Sequence, residues 1–225
     1  MRLSLFVVLS FWASFSSADE VAIRFHEKAT ITIETPDGVV SATAIGSREI
    51  FAEPNNRQTG ILVGSGLPTR AEYPPVIFEL RPGRFLICAN CTGIAMKTFG
   101  LNEPRLFEDI RAAVDAAPRD EPRSYHPDFR PFFIMMAAPP DFSLVRYPDR
   151  DDVARYFGPG FTIKSYTVAI TDAPVTDVSI VTAIPWICNQ IDVLRADRTE
   201  PNILEGNPRQ RELRALERLV GGECA

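Results

Sequence analysis

Twice in its first half the chain runs as an apolar strand pattern, meets a turn built from proline and glycine, and runs back. That repetition limits what it can fold into more than any other feature. Ala29-Thr30-Ile31-Thr32-Ile33-Glu34-Thr35 alternates apolar and polar residues with period two, which describes a strand with one buried face. Pro36-Asp37-Gly38 is a turn in which proline fixes φ and glycine tolerates φ > 0. Residues 39–50 (VVSATAIGSREI) return, so residues 29–50 form a hairpin. The second unit is shorter: residues 76–80, the turn Arg81-Pro82-Gly83, then residues 84–88.

Residues 53–59 read as loop, and Ile61-Leu62-Val63 as a short strand ended by Gly64-Ser65-Gly66. Residues 106–117 switch to a helical period, with Leu106, Phe107, Ile110 and Val114 on one face, Asn102 as a candidate cap and Pro118 as the stop. The proline-laden residues 118–131 predict a linker or long loop, and residues 132–137 a buried strand. Residues 149–158 predict a compact helix with Asp149 as cap and Gly158 at C′. Residues 161–170 and 178–184 read as antiparallel strand neighbours across Asp172-Ala173-Pro174. Asn207-Pro208 opens a last helix to Val220, with a thin stripe of Leu213, Leu216 and Val220 that suits a surface position. The expected class is α+β, mainly antiparallel hairpins with two or three short helices.

The N-terminus predicts where the protein works. Arg2, an apolar run over residues 3–15 and the small residues Ser16-Ser17-Ala18 make a secretory signal peptide cleaved after Ala18. The expected organisation is therefore a signal peptide at 1–18, one α+β domain at 19–205, and a C-terminal surface helix and tail at 206–225. No later apolar run approaches the length of a membrane span, so a soluble periplasmic or secreted product is expected. With 24 basic and 29 acidic residues the net charge is −5, and the arginines are scattered among acids. Nucleic-acid binding rests on phosphate neutralisation and is disfavoured by that balance.

Four cysteines, Cys88, Cys91, Cys188 and Cys224, form an even set, and in an exported chain disulfides are the default. All four are expected to be oxidised, with Cys188 and Cys224 each tied to a distant segment or to one another. The choice among three pairings stays open. Cys88-Ala89-Asn90-Cys91 also has C-x-x-C spacing, so a thiol–disulfide site and a four-cysteine zinc site remain as alternatives.

No other catalytic, cofactor or metal motif is expected. His26 and His126 form no H-E-x-x-H or i, i+4 pair. Gly64-Ser65-Gly66 lacks the frame of a nucleophile elbow, and Gly158-Pro159-Gly160 lacks the spacing that cradles phosphates. Asp149, Asp151 and Asp152 do not follow a calcium-loop pattern and suit helix capping.

Residues 31–45 (ITIETPDGVVSATAI) and 158–186 (GPGFTIKSYTVAITDAPVTDVSIVTAIPW) together resemble a family of proteobacterial proteins with no assigned activity. The resemblance rests on the TPDGV turn with its serine-containing return strand. It also rests on Phe157, Gly158, Gly160, Thr167, Ile170-Thr171-Asp172, Pro174-Val175-Thr176 and Ile184-Pro185-Trp186. It covers about residues 23–187 and implies a fold and an exported bacterial protein, with no chemistry; the cysteines and the tail after Trp186 depart from it. The reading that follows is an exported binding or envelope-associated module, with an envelope protein as a candidate partner. The alternatives are an enzyme whose site is assembled from distant loops, or a thiol–disulfide protein using Cys88 and Cys91.

Overall fold

A computed structural model describes residues 22–51, 69–89, 91, 95–101, 107–125, 131–146, 150–196 and 208–224. Strands β1 (Ala22–Thr35) and β2 (Gly38–Phe51) are the expected first hairpin, grown to fourteen residues a side and paired from Thr35↔Gly38 to Ala22↔Phe51. At its tip Thr35 Oγ1 donates to the Gly38 carbonyl at 2.8 Å and accepts from the Asp37 N–H at 3.3 Å. Gly38 sits at φ +127°, where a β-carbon is costly. With β3 (Thr69–Glu72), β6 (Arg123–Ser124) and β9 (Thr162–Thr171) the hairpin builds a five-stranded antiparallel sheet in the order β3-β2-β1-β9-β6.

The second hairpin, β4 (Val76–Arg81) and β5 (Arg84–Cys88), joins β7 (Phe133–Ala137) and β8 (Ser143–Arg146) in a four-stranded sheet, β4-β5-β7-β8. Helices α1 (Ala95–Thr98), α2 (Phe107–Ala116), α3 (Arg150–Phe157), α4 (Ile180–Ala183), α5 (Ile187–Ala196) and α6 (Pro208–Val220) complete the described elements. The class is α+β and mainly antiparallel, as expected, but with more helix than two or three segments.

Burial explains the layers. Ala29, Ile31, Ile33 and Ala44 of the first sheet share a core with Val76, Phe78, Leu86 and Met135 of the second. Phe85, Ile87, Ile134 and Met136 point the other way, against Ile180, Ile184, Ile187, Ile191, Leu213 and Leu216 of the helices. The second sheet is thus covered on both faces, so β7 is buried at every position and reads as an unbroken apolar run. A third core gathers Ile23, Phe25 and Ile50 with Leu101, Ile110, Val114, Val168 and Ile170. Each such aliphatic or aromatic side chain contributes about 1.5–3 kcal/mol on burial.

The second hairpin's turn also holds α3. Arg81 Nε donates to the Phe157 carbonyl and Arg84 Nη1 to the Tyr156 carbonyl, so two cations meet the last carbonyls of the helix. Gly158, at φ +112°, closes α3 with its N–H on the Ala154 carbonyl at 2.8 Å. Its Cβ position lies 3.1 Å from the Arg81 guanidinium, which leaves no easy room for a side chain.

Three expectations are corrected. Residues 178–184 are not the strand neighbour of β9; Ser179 caps α4 by accepting from the Thr182 N–H at 3.1 Å. Ile180 and Ile184, four apart, both face the core, so the β-branched run serves a helical turn. Cys188 therefore lies in the first turn of α5, a helix that follows the residues expected to form that strand. Residues 118–131 are not a free linker throughout: β6 pairs with β9, and Arg119 bridges to Ile170. The readings at residues 1–18 and 53–66, and at Asn102, Leu106, His126, Asp149 and Asn207, lie outside the described residues. One further detail was not legible: between Thr32 and Ile33 the β1–β9 register shifts. The bulge lets Ile163 and Val168, of opposite parity, both be buried. Among the described residues no helix is long and apolar enough to cross a membrane.

Candidate functional site

The inner face of β1 presents Ile23, Phe25, Glu27, Ala29, Ile31 and Ile33 in turn, and Glu27 is the one charge in that stripe. It is 1% exposed. A carboxylate so placed must be compensated. Arg48 Nε donates to its Oε1 at 2.8 Å, and the Ala95 N–H at the start of α1 donates to Oε2 at 3.1 Å. Gly46, directly across from Glu27 in the hairpin register, carries no side chain to contest this space. From Arg48 the chain of contacts runs outward: Nη2 donates to the Tyr73 hydroxyl at 2.6 Å, and the guanidinium lies 5.5 Å from that ring's centre. Burial raises the Tyr73 phenol pKa, an effect opposed by the Arg48 charge beside it.

The C-x-x-C segment adjoins this network. Cys88 ends β5, where it pairs with Val76 and Phe133, and Cys91 lies in the turn beyond. Both are unexposed, their Cα atoms 5.7 Å apart, at disulfide distance. The Tyr125 hydroxyl donates to the Cys91 carbonyl. Tyr125, Tyr166 and Phe133 form an aromatic row with centroids 5.3 and 5.2 Å apart. Burial above all, then the charges of Tyr166 and Glu27, hold the Tyr125 phenol well above its ordinary pKa. This joint between the sheets is the most concentrated chemistry among the described residues. Reading the first strand from Ala29 missed Glu27; extending the period-two count back to Ile23 would have found it.

The other cysteines lie elsewhere. Cys188 and Cys224 are 5.3 Å apart between Cα atoms, also at disulfide distance, and pack at the margin of the helical core. Four thiols are therefore not brought together, and among the described residues no group of three or more His, Cys, Asp or Glu could hold a metal ion. A cleft of about 160 Å³ lined by Arg195, Glu217, Val220, Gly222 and Cys224 borders this pair. It is well below the roughly 300 Å³ at which small-molecule sites begin.

The remaining candidates are held by structural contacts. His26 Nδ1 lies 2.6 Å from the Ala173 carbonyl. Gly160, at φ +85°, packs against Pro36, so the Gly-Pro-Gly turn is an anchor between two loops. Asp152 pairs with Arg155 at 2.6 Å. No family model, curated protein or solved structure matches this chain.

Proposed function

We propose that the chain is an exported, disulfide-stapled module of the bacterial envelope that works by binding a partner rather than by catalysis. The observation that carries this reading is the closure of all four cysteines into two pairs at disulfide distance. Two such pairs persist in an oxidising compartment, the destination that residues 1–18 encode. The proteobacterial family that residues 31–45 and 158–186 resemble belongs to the same proposal. The side chains most able to do chemistry, Glu27, His26 and the cysteines, are engaged within the protein, which supports recognition over turnover.

Intact mass of the protein exported by its own cells tests the first half. The expected product lacks residues 1–18 and takes up no alkylating agent until reduced. A product starting at Met1, or four free thiols, overturns it. Capture from the native envelope with identification of co-purified proteins tests the second half.

The C-x-x-C spacing favours one other reading, thiol–disulfide exchange at Cys88 and Cys91. Exchange needs an accessible sulfur, and both residues are unexposed. A redox site would be reduced more readily than Cys188–Cys224; the binding reading expects the reverse.

A further inference from the structure

We propose that the protein forms a two-fold dimer by pairing the free edge of β2 with the same edge of a second copy. Strand β3 covers β2 only from Ser47 to Ile50. Next along, Ile45 turns its backbone outward: its N–H donates to Thr176 Oγ1 at 2.8 Å and its carbonyl accepts from the Thr176 N–H at 2.9 Å. Bonding direction alternates along a strand, so Val39, Ser41 and Thr43 also aim their N–H and C=O groups outward. Among the described residues nothing pairs with these groups.

This edge lacks the usual protection. Residues 38–46 carry no charge and no proline, and their register with β1 has no bulge. Natural edges exclude neighbours with such devices. Val40 faces the core side opposite Ile33 yet is 40% exposed, and Val39 is 54% exposed. The apolar layer therefore runs to the rim and stops there.

A second copy fits because the free window is symmetric. It is bounded at one end by the hairpin tip and at the other by Thr176. Antiparallel pairing centred on Ser41 sets Ser41 opposite Ser41 of the partner subunit and Val39 opposite the partner subunit's Thr43. This register satisfies every free group at once. A one-residue slip turns the bonding groups out of phase, and a two-residue slip leaves some unpaired. On the core side it brings Val40 beside the partner subunit's Ala42, continuing the apolar layer across the axis. With no charge in the window a copy meets no repulsion, and the contact is isologous. A contact over so few residues is small beside the roughly 1,600 Å² buried in typical stable interfaces, so the dimer is weak and concentration-dependent.

Sedimentation equilibrium of the purified protein, as its cells process it, from micromolar to millimolar concentration tests this. A monomer–dimer equilibrium is expected. Ser41→Pro removes one outward N–H while leaving the β1 ladder intact, and Val40→Lys places a charge at the rim. Each should weaken association about tenfold or more, with circular dichroism unchanged. Val40→Lys carries the test if Ser41→Pro folds poorly. In air, Ser41→Cys should cross-link two copies. Val39→Cys should not, because the two positions then lie about 13 Å apart, beyond the roughly 7 Å a disulfide spans. A monomer at every concentration, a dimer indifferent to both rim substitutions, or equal cross-linking from positions 39 and 41 overturns the proposal.

Discussion

The joint between the two sheets and the helical layer behind the second sheet each contain a cysteine pair, in opposite surroundings. Cys88 and Cys91 are three residues apart and unexposed, beside a buried carboxylate and a row of aromatic rings. Cys188 and Cys224 are 36 residues apart and partly exposed, joining the start of α5 to the end of the chain. Around them α6 is held by Leu213, Leu216 and Val220, by Arg195–Glu217 at 3.1 Å, and by Glu223, which accepts from Ser179 Oγ at 2.6 Å. The joint ties together β1, β2, β5 and α1, so nothing there can open without the whole. The helical layer is a latch, attached along one face and through its end. The comparison separates cooperative stability, fixed by buried polar pairing, from local stability, fixed by a covalent tie.

The joint breaks with the largest effect. Removing one partner of a buried ion pair leaves the other charge uncompensated, at about 3–5 kcal/mol. Glu27→Ala should therefore lower the unfolding free energy of the entire transition, read from urea melts, by that amount, as Arg48 is only 11% exposed and Ala95 loses its acceptor. A cost under about 1 kcal/mol would mean that the pair behaves as a surface contact, and the contrast with the latch would fail.

Opening the latch should do less, and locally. A Cys188–Cys224 disulfide would span 36 residues and remove about 4 kcal/mol of unfolded-state entropy in the chain-closure picture, commonly delivering less. Cys188→Ser with Cys224→Ser should raise hydrogen exchange throughout α6 while β5 and β7 stay protected. Equal loss of protection in β7 would show that latch and core are one unit.

A Cys88–Cys91 disulfide would close so few residues that the same relation gives about 2 kcal/mol. Its distinguishing property is resistance. Titration with a thiol reductant, read by alkylation and mass, should reduce Cys188–Cys224 at the lower concentration. The reverse order would move the joint from structure to redox chemistry.

Much of the fold was legible because local signals and burial agreed. The Pro36-Asp37-Gly38 and Arg81-Pro82-Gly83 turns sit between runs whose period matches their buried faces, and both hairpins formed. Residues 132–137 read as a buried strand because β7, which they contain, is covered on both faces. Residues 178–184 misled because Val178, Ile180 and Val181 favour strands in isolation, whereas Ser179 as cap and the i, i+4 pair Ile180 and Ile184 decide for helix. Helix α5 was not legible because its buried face, Ile187, Gln190 and Ile191, is narrow and includes a polar residue. The site was legible only in part. The cysteines announce themselves by type, but Arg48, Tyr73 and Tyr125 meet Glu27 through pairings far apart in sequence, which no local pattern encodes.

The smallest effect concerns Tyr125, which stands at the joint and titrates. Tyr125→Phe removes the hydrogen bond to the Cys91 carbonyl and should cost about 1 kcal/mol at neutral pH. Its pH dependence says more. Burial holds the folded-state phenol well above the ordinary tyrosine value, so the folded protein keeps a proton that the unfolded chain releases near pH 10. The group's contribution is therefore complete below about pH 10 and is lost as pH rises above it, since ionisation then favours the unfolded chain. Stability measured by urea melts should hold level up to that point and then fall. In Tyr125→Phe the fall should be shallower but not absent, because Tyr73 and Tyr156 are also raised, chiefly by burial. An alkaline limb of unchanged slope in the variant would mean that Tyr125 is solvated in solution, and that the sheet joint is more open than its contacts imply.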